Sequence, residues 1–358
     1  MPQLENVKKV MEVGFDKRQK PSMLLTNLFK VKQLNGIKVE VQGRSVKNFY
    51  SVDVKLGTGG RYNSLDEYDK RDFVMPEYND IANLNEEDVF KAQFGETEYE
   101  QTANIVKAIN DGQEIFSDKQ RRAEEKQASD ALFYGKVALC GGNKIEYNKK
   151  ASHSISVASK KWNTDDGDPI EVIKNAIALC LRDGNFSAAE WNLFFEESSL
   201  DALLKNKNFK ANSNWNNGIK RTDINMPIEA TPGGMFHGRI SVGSYLVNIW
   251  SYNEKYVVPK GYGFAHEGEE FGYIPSGCAL LVPMNPNFKR YYGAINNVNA
   301  PTTPGIGGNK LQLVKQQQLP YAYDVLVDGS ATTKYGVKSR PLLVPVDVDC
   351  FATIHNIV

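Results

Sequence analysis

The pattern of hydrophobic and polar positions is most regular between Asn104 and Tyr134. From Gln113 onward, this stretch is rich in strong helix formers and contains no proline, so it predicts a long helix. Apolar residues gather at its two ends, and opposite charges recur in the middle at a spacing of four: Asp118 with Arg122, Arg121 with Glu125, and Lys126 with Asp130. A charged middle is typical of a solvated helix, so we expect either a strut that is held at both ends or an ordinary surface helix.

Before this helix lies a polar N-terminal segment with one small apolar patch. The patch contains Leu28 and Phe29, and it predicts a helix over residues 22–30 with Ser22 as its N-cap. A patch of this size buries little surface alone. It therefore needs to pack against another surface, either of this chain or of a neighbouring copy.

From Ile37 onward the period changes to two. Residues 37–41 and 50–56 each alternate apolar and polar side chains, which predicts a β-hairpin that turns at Gly43-Arg44 and has one solvated face. Residues 61–88 follow with no sustained periodicity. They hold several aromatic residues, among them Tyr62, Tyr68, Phe73 and Tyr78. Because long structureless loops are uncommon, this segment is either a long arm that packs on another subunit or a surface loop.

The second half of the chain predicts a mixed α+β body. A hairpin is expected around Gly141-Gly142-Asn143, followed by a short strand over 153–159. The best helix signal runs from an N-cap at Asp168 to Gly184, and a second helix ends near Asn206. Further predicted strands cover 239–242, 245–252, 256–258, 278–283 and the C-terminal end of the chain, while 207–235 and 285–308 read as loops.

The amino-acid composition narrows the range of possible functions. The chain holds 43 acidic and 43 basic residues among its 358, and this balance argues against tight binding in a nucleic-acid groove. A net charge of zero does not oppose association between copies. The four cysteines form no CxxC pair, which indicates reduced thiols rather than a zinc site or a disulfide framework. With no signal-peptide pattern and no long apolar run, we expect a soluble protein made inside the cell, with no contact to a membrane.

Candidate chemistry is sparse. The one cluster with metal-ligand residue types, His266 to Glu270, is more typical of a solvated loop tip. The glycine-rich run from Gly305 to Lys310 lacks the spacing and the hydroxyl residue of a phosphate-binding loop. The basic pairs Arg121-Arg122 and Lys149-Lys150 support at most a weak contact with nucleic acid that is independent of sequence. We therefore predict no enzymatic activity, no cofactor and no metal site.

The order of these parts resembles the major capsid proteins of tailed bacteriophages, and specifically the lambda-type capsid protein E family. The resemblance covers nearly the whole chain, and it depends on the order and spacing of segments rather than on a catalytic signature. These segments include SMLLTNLF at 22–29, VMPEYNDIANL at 74–84, RRAEEKQASDALFYGKVAL at 121–139, DPIEVIKNAIALCLRDG at 168–184, SYLVNIWSYNEKYV at 244–257, YIPSGCALLVPMNP at 273–286 and PLLVPVDVDCFATI at 341–354.

The resemblance implies the α+β Hong Kong 97-like fold. Residues 1–35 would form an N-terminal arm and 36–95 an extended β-hairpin called the E-loop. Residues 96–165, with the C-terminal strand at 336–358, would form a P-domain that carries a long spine helix, and 166–335 would mostly form the A-domain. The implied assembly residues are Leu28, Phe29, Tyr62, Tyr68, Phe73 and Tyr78 in the arms, with Arg121, Arg122 and Glu125 on the spine helix.

The resemblance also implies partners. Copies of the chain would assemble as hexamers and pentamers into the icosahedral head around double-stranded DNA, after passing through the host cytoplasm. A scaffolding protein, a portal and a decoration protein are implied, as is weak non-specific contact with packaged DNA. Lys47, Lys55 and Lys70 are candidates for a covalent link between subunits, but no feature of the sequence distinguishes any of them. The alternatives are another virion protein, such as a tail-tube or decoration protein, and a soluble hydrolytic enzyme.

Overall fold

The computed structural model describes the following residues: 20–45, 67–84, 98–184, 186–212, 234–262, 264, 266–297, 312–315, 321–327 and 333–358. Within them the chain forms helices α1 (Glu98–Phe133), α2 (Pro169–Gly184), α3 (Glu197–Lys205) and α4 (Lys207–Asn212). The first ten strands are β1 (Lys30–Gln33), β2 (Lys38–Ser45), β3 (Glu67–Val74), β4 (Tyr78–Leu84), β5 (Lys136–Ala138), β6 (Lys144–Glu146), β7 (Ser154–Ser156), β8 (Glu190–Phe195), β9 (Gly234–Val242) and β10 (Tyr245–Tyr252). The later ones are β11 (Lys255–Val257), β12 (Glu270–Gly272), β13 (Ala279–Pro283), β14 (Phe288–Tyr292), β15 (Ala294–Asn297), β16 (Gln312–Lys315), β17 (Tyr321–Val327), β18 (Thr333–Ser339), β19 (Pro341–Pro345) and β20 (Ala352–His355).

A six-stranded mixed sheet forms the centre of the body, in the order β7-β20-β13-β8-β10-β9. Side chains alternate between the two faces of a strand, so β8 serves two cores. Its residues Trp191, Leu193 and Phe195 join α2 in one core, while Phe194 joins the C-terminal part of α1 in another. The sheet therefore lies between α2 and the end of α1.

Helix α2 forms as its sequence predicts. The Oδ1 atom of Asp168 accepts hydrogen bonds from the backbone N–H groups of Ile170 at 3.0 Å and Glu171 at 3.1 Å, which confirms the N-cap. The apolar stripe packs on the sheet, with Ile173 and Ile177 fully buried. The predicted hairpin of β5 and β6, the strand β7, the helix α3 and the strands β9, β10, β11 and β13 are confirmed as well.

Smaller sheets carry the segments around α1. Strands β1, β14 and β19 form one three-stranded sheet, with β1 parallel to β14, and β17, β18 and β4 form another. Among the described residues, strands β2 and β3 form a separate two-stranded sheet, in the register Lys38–Val74 to Ser45–Glu67. No helix in the described ranges is both long and apolar enough to cross a membrane.

The prediction of a solvated middle for the long helix is wrong. Helix α1 has 36 residues and spans about 54 Å, and its charged middle is largely covered by other elements. Glu124 and Glu125 are 1% and 0% exposed, and Gln120, Gln127 and Asp130 are also buried. Residue type misled the prediction because a carboxylate can be buried where enough hydrogen-bond donors converge on it.

The predicted N-terminal helix over 22–30 is also wrong. The structure has a single 3-10 turn at Thr26–Leu28, and the backbone is already extended at Phe29. Residues from Lys30 onward form β1 and pair with β14. Tertiary pairing therefore overrides the local helix propensity, as is common for short segments.

The predicted hairpin had the wrong partner. Strand β2 continues through Gly43-Arg44 to Ser45 and pairs with β3, so no turn lies at that glycine. Residues 50–56 lie outside the described part of the chain. Most of the segment predicted to be structureless, 61–88, forms β3 and β4. Its strands were missed because charged residues such as Lys70 and Asp72 stand in them and hide the alternation.

Three further predictions need correction. Residues 207–235 were predicted as a loop, but 207–212 form α4 and β9 begins at Gly234. Residues 285–308 were predicted as a loop, but 288–292 and 294–297 are strands β14 and β15. Both faces of β14 are covered, so its sequence shows no alternation of apolar and polar residues. The predicted C-terminal strand is in fact two strands, β19 and β20, which belong to different sheets.

Candidate assembly site

The carboxylate of Glu125, in the middle of α1, holds the N-terminal segment. Its Oε1 atom accepts hydrogen bonds from the N–H of Leu25 at 2.8 Å and from the hydroxyl of Tyr252 at 2.9 Å. Its Oε2 atom accepts from the N–H of Thr26 at 2.9 Å and from the Thr26 hydroxyl at 2.6 Å. Four donors therefore satisfy a carboxylate that is 0% exposed, and they tie the N-terminal turn and β10 to α1.

The neighbouring Glu124 holds the sheet that contains β1. Its Oε2 atom accepts a hydrogen bond from the hydroxyl of Tyr292 at 2.9 Å and lies 3.5 Å from Nη1 of Arg290. Both partners belong to β14, the strand on which β1 is paired. Arg290 is itself buried, at 5% exposure, so this ion pair is shielded from water.

Burial dominates the electrostatics of this cluster. It raises the pKa of Glu124 to about 7, against the opposing effects of Arg290 and Tyr292. Burial also raises the pKa of Glu125, although the hydrogen bonds from Thr26 and Leu25 oppose the rise. The pKa values of Tyr252 and Tyr292 are raised by burial and by the nearby carboxylates, so both phenols stay protonated and act as donors.

Two glutamines extend the contacts of α1 to strands β4 and β18. The Nε2 group of Gln120 donates to Oδ2 of Asp80 at 2.9 Å and to the carbonyl of Val337 at 2.8 Å. The Nε2 group of Gln127 donates to the hydroxyl of Tyr78 at 2.6 Å. These bonds fix β4 and β18 to the same helix, so α1 connects the N-terminal segment, these two strands and the body.

Lys149 closes the C-terminal end of α1. Its Nζ atom donates to the carbonyls of Leu132 at 3.0 Å and Phe133 at 3.4 Å, and to the hydroxyl of Thr353 at 2.8 Å. The last carbonyls of a helix lack partners within the helix, and a lysine at this end also interacts favourably with the helix dipole. The hairpin after α1 and the C-terminal strand β20 are thereby joined to the helix end.

The structure distributes the predicted arm residues over different environments. Phe29 is 2% exposed, with its ring centroid 5.0 Å from that of Phe288 in the core of its own chain. Leu28 is partly buried against the same core. Phe73 lies 5.5 Å from the ring of Tyr147. Tyr68 lies on β3, opposite Arg44.

Other predicted residues lie on α1 or outside the described residues. Arg121 pairs with Asp118 at 4.0 Å, one turn away, while the backbone carbonyl of Arg122 accepts a long hydrogen bond of 3.5 Å from Tyr273. The predicted pair Lys126–Asp130 is present at 2.5 Å. Tyr62 lies outside the described residues, as do Lys47, Lys55 and the glycine-rich run 305–310.

Apolar side chains remain uncovered on the N-terminal and arm strands. Val31 on β1 is 39% exposed, and Ile37, just before β2, is 44% exposed. Val74 at the end of β3 is 59% exposed, and Ile81 on β4 is 50% exposed. Val31 and Ile81 belong to strands that are joined to α1 directly or through β14, whereas Ile37 and Val74 lie at the end of the β2–β3 pair. These exposed apolar side chains make the N-terminal and arm strands the candidate assembly site.

The candidate metal cluster has a structural explanation. His266 and Glu269 pair at 3.2 Å in an exposed loop. The carboxylate of Glu267 accepts the N–H groups of Gly261 at 2.8 Å and Tyr262 at 3.0 Å, which holds the loop between β11 and β12 in shape. The acidic residues of this loop are therefore engaged with their own loop.

The fold also brings Cys278 close to His355, a cysteine–histidine contact that the sequence does not suggest. Sγ of Cys278 lies 3.2 Å from Nδ1 of His355, and Nε2 of His355 lies 2.8 Å from the hydroxyl of Thr353. Burial raises the pKa of Cys278 to about 11, and burial together with Lys149 lowers the pKa of His355. Both groups are thus neutral at pH 7, and the pair lacks the thiolate that a nucleophile would need.

Sequence reasoning named Glu125 on the long helix but missed Thr26, Tyr252, Arg290 and Tyr292, which bind the two carboxylates. The signal that could have found the burial is the set of small residues on the same part of α1. Ala128 and Ala131 are both 0% exposed, and small side chains allow other elements to approach a helix closely.

Comparison with known proteins agrees with this architecture. A family model described as phage major capsid protein E matches residues 16–356. None of the curated proteins matches the chain. A prophage protein from Escherichia coli CFT073, described as a capsid protein, has 16% identity and a TM-score of 0.59, with 93% of each chain covered. The capsid structure of cyanophage P-SCSP1u has 8% identity and a TM-score of 0.49 over 95% of this chain and 90% of that one. A structure of Mycobacterium phage Bobi has 11% identity and a TM-score of 0.46 over 95% and 92%.

Proposed function

The chain belongs to the phage major capsid protein E family and is a structural protein of the virion shell, and on this premise we propose that it forms hexamers and pentamers that tile the icosahedral head of a tailed phage around double-stranded DNA. Its fold is of the Hong Kong 97-like capsid type. The role we propose is structural rather than catalytic. Alternatives such as a tail-tube protein, a decoration protein or a hydrolytic enzyme have no comparable support.

The observation that carries this proposal is the contrast between a fixed centre and uncovered arms. Hydrogen bonds hold the N-terminal segment, β4 and β14 on α1. Val31 and Ile81 remain exposed on the strands so held, and Ile37 and Val74 remain exposed at the end of the neighbouring β2–β3 pair. Apolar surface on arms of fixed direction is suited to contacts that repeat between identical copies.

The pairing of β2 with β3 supports the same proposal. These strands form a two-stranded ribbon, and an isolated ribbon of two strands is only marginally stable in water. We propose that this ribbon, as part of an E-loop over 36–95, gains its stability on a neighbouring copy. Tyr62 and Tyr68 are the proposed contact residues there, with Phe73 and Tyr78 closer to the body. Phe29 packs in the core of its own chain, so we propose that it supports assembly by fixing the N-terminal segment.

We also propose three further domains: an N-terminal arm at 1–35, a P-domain at 96–165 with 336–358, and an A-domain over most of 166–335. The P-domain and A-domain share one sheet, because β7 and β20 pair in the same sheet as β13, β8 and β10. We therefore expect these two domains to move together in the shell rather than as independent units.

The proposed partners, besides further copies of this chain, are a scaffolding protein, a portal and a decoration protein. We also propose weak contact with packaged DNA, which Arg121 and Arg122 could contribute to. Because the formal net charge is zero, this contact would be non-specific and would weaken with salt. Assembly would take place in the host cytoplasm, before the shell becomes part of the virion.

The test is assembly of the full chain, alone and with a co-expressed scaffolding protein, followed by negative-stain electron microscopy and sedimentation velocity. We expect shells or capsomer rings. A variant chain, tested in the same way, replaces 46–66 with a two-residue Asn-Gly turn that joins β2 to β3 directly. It should fold but fail to assemble. The deletion avoids 67–84, because β4 is paired with β18 and its removal would damage the body.

A matched pair of surface variants sharpens the test. Val74→Thr removes an exposed apolar side chain from the arm while keeping a β-branched residue, and Ile115→Thr does the same to a 38% exposed side chain on α1. The first should reduce the yield of assembled particles more than the second. Assembly of the 46–66 replacement at the normal level would contradict the E-loop assignment, and a chain that stays monomeric with every scaffold tested would contradict the hexamer and pentamer proposal.

A further inference from the structure

The two buried carboxylates of α1 present a charge imbalance. Glu124 and Glu125 are both buried, and the buried cation beside them is the guanidinium of Arg290. Arg121 also faces Glu124, but its side chain is 36% exposed and it pairs with Asp118. Two buried negative charges against one buried positive charge leave a net charge in a region shielded from water, which is costly.

The surrounding groups show which carboxyl group can keep its charge. Glu125 receives four hydrogen bonds, and donors that converge on a carboxylate favour its ionised form. Glu124 receives one hydrogen bond, from Tyr292, and its Oε1 atom is buried without a partner. Of the two, Glu124 is therefore the group whose ionised form is less well stabilised.

The titratable and charged groups that face the pair lie on β14, β10, β4, the segment after β12 and α1 itself. They are Arg290 and Tyr292 of β14, Tyr252 of β10, Tyr273 after β12, Tyr78 of β4 and Arg121 of α1 itself. The tyrosines are all neutral near pH 7, because burial raises the pKa of each of them. Charge balance in the cluster therefore depends on the two carboxyl groups and the two arginines.

We propose that the cluster of Glu124 and Glu125 holds one proton, on Glu124, and that losing this proton as the pH rises through neutrality loosens the N-terminal segment from α1. Protonated Glu124 leaves Glu125 and Arg290 as a balanced pair of opposite charges. Deprotonation adds a second negative charge beside Glu125, which binds Leu25 and Thr26 directly. It also changes the contact to β14, on which β1 lies. Glu125 is then a positioning residue for the N-terminal segment, and Glu124 makes that position dependent on pH.

The direction of the effect follows from the raised pKa of Glu124. A carboxyl group whose pKa is higher in the folded chain favours folding when it is protonated, at pH below its ordinary value of 4.5. This contribution is lost as the pH rises from 4.5 through about 7. The N-terminal segment should therefore be held most firmly in mild acid and least firmly above neutral pH. This inference does not depend on how the copies are arranged in a shell.

Hydrogen exchange of the full chain tests the proposal. Protection of the amides in 22–34 is measured between about pH 5 and pH 8.5, corrected for the intrinsic exchange rate, with the amides of α2 as the internal reference. In the native chain we expect the relative protection of 22–34 to fall by up to about 80-fold over this range, as the pKa change of Glu124 from about 7 to 4.5 implies. Glu124→Gln, which imitates the protonated group, should keep protection high at every pH. Glu125→Gln should lower it at every pH.

Glu114→Gln is the matched control, because Glu114 is an exposed carboxylate on the same helix. It should behave as the native chain does. Infrared spectra at neutral pH give an independent measure, since a protonated carboxyl stretch should be present in the native chain and absent in Glu124→Gln. A native profile with no dependence on pH, or a Glu124→Gln profile that still follows pH as the native one does, would overturn the proposal, even if Glu125→Gln failed to fold.

Discussion

Thr26 binds Glu125 through both its backbone and its side chain. The Oε2 atom of Glu125 lies 2.9 Å from the amide nitrogen of Thr26 and 2.6 Å from its hydroxyl oxygen, across 99 residues of sequence. One carboxylate thus fixes the position and the orientation of the N-terminal turn. The turn leads directly into β1, which pairs with β14, so Glu125 also helps to set the position of this strand on the body.

Replacing Glu125 tests how much this contact contributes to folding. Glu125→Ala leaves the N–H groups of Leu25 and Thr26 and the hydroxyl of Tyr252 without their acceptor in a buried site. We expect the free energy of unfolding to fall by about 3 kcal/mol or more. Urea denaturation followed by circular dichroism measures the change. Glu114→Ala, on the exposed side of α1, should change the free energy of unfolding by less than about 0.5 kcal/mol. Equal losses for the two variants would show that the buried contact with Thr26 does not stabilise the fold.

Substitutions of Phe29 and Val31 test folding and assembly separately within one segment. Phe29 is 2% exposed and packs on Phe288, so Phe29→Ala should lower the free energy of unfolding by about 3–5 kcal/mol. Val31 is 39% exposed, so Val31→Thr should leave the stability of the monomer almost unchanged while reducing the yield of particles. Thermal unfolding and sedimentation velocity give the two readouts. A loss of monomer stability in Val31→Thr would place this side chain in the body of its own chain.

The sequence predicted the parts of the fold whose signals are local. Asp168 and Gly184 delimit α2 because capping chemistry depends on neighbouring residues. The resemblance to a capsid family, carried by the order of the segments, correctly indicated the architecture and the role. The burial of Glu124 and Glu125 could not be read in the same way. It depends on Thr26, Tyr252 and Tyr292, which lie about 100 or more residues away in sequence and meet only in the fold.

The pairing of β2 with β3 was missed for a related reason. Glu40 stands opposite Asp72 in the ribbon, and charged residues continue along both strands. Residues 37–41 in β2 alternate apolar and polar side chains, but β3 reads EYDKRDFV and has no such alternation to detect. Its partner is fixed by register and by the packing of Val39 and Phe73 at the base. Apolar periodicity reports only those strands that have one face in a core.

Gly112 tests the contact between α1 and β18. A Cβ atom at this position would lie 2.4 to 2.8 Å from the hydroxyl oxygen and two ring carbons of Tyr335. Alanine normally favours a helix over glycine by about 1 kcal/mol, yet here we expect Gly112→Ala to destabilise the protein by about 1–3 kcal/mol because the ring must move. Urea denaturation is the measurement. Combining it with Tyr335→Leu, which shortens the opposing side chain, should recover part of the loss, and a stabilising effect of Gly112→Ala alone would mean that the ring moves freely.

Glu77 tests the attachment of the arm to the body at acid pH. Its carboxylate pairs with Lys338 at 2.6 Å and also with Arg340, so it joins the segment between β3 and β4 to the end of β18. Burial alone would raise the pKa of Glu77, but the hydrogen bonds and charges of Lys338 and Arg340 lower it below its ordinary value of 4.5. A carboxyl group with a lowered pKa stabilises the folded state above its ordinary value, and the contribution is lost as the pH falls below 4.5.

Glu77→Gln should therefore lower the urea midpoint near neutral pH and have little effect in acid, where the native carboxyl group is protonated too. The side chain is 31% exposed and partly screened by solvent, so the difference at neutral pH should be only about 1 kcal/mol. Measuring the midpoints of both proteins from about pH 7 down to about pH 3 decides the matter. Curves that stay parallel over this range would mean that the ion pairs with Lys338 and Arg340 do not hold the arm. Glu114→Gln, measured in parallel, shows how far the loss of any exposed carboxylate on the protein shifts the curve.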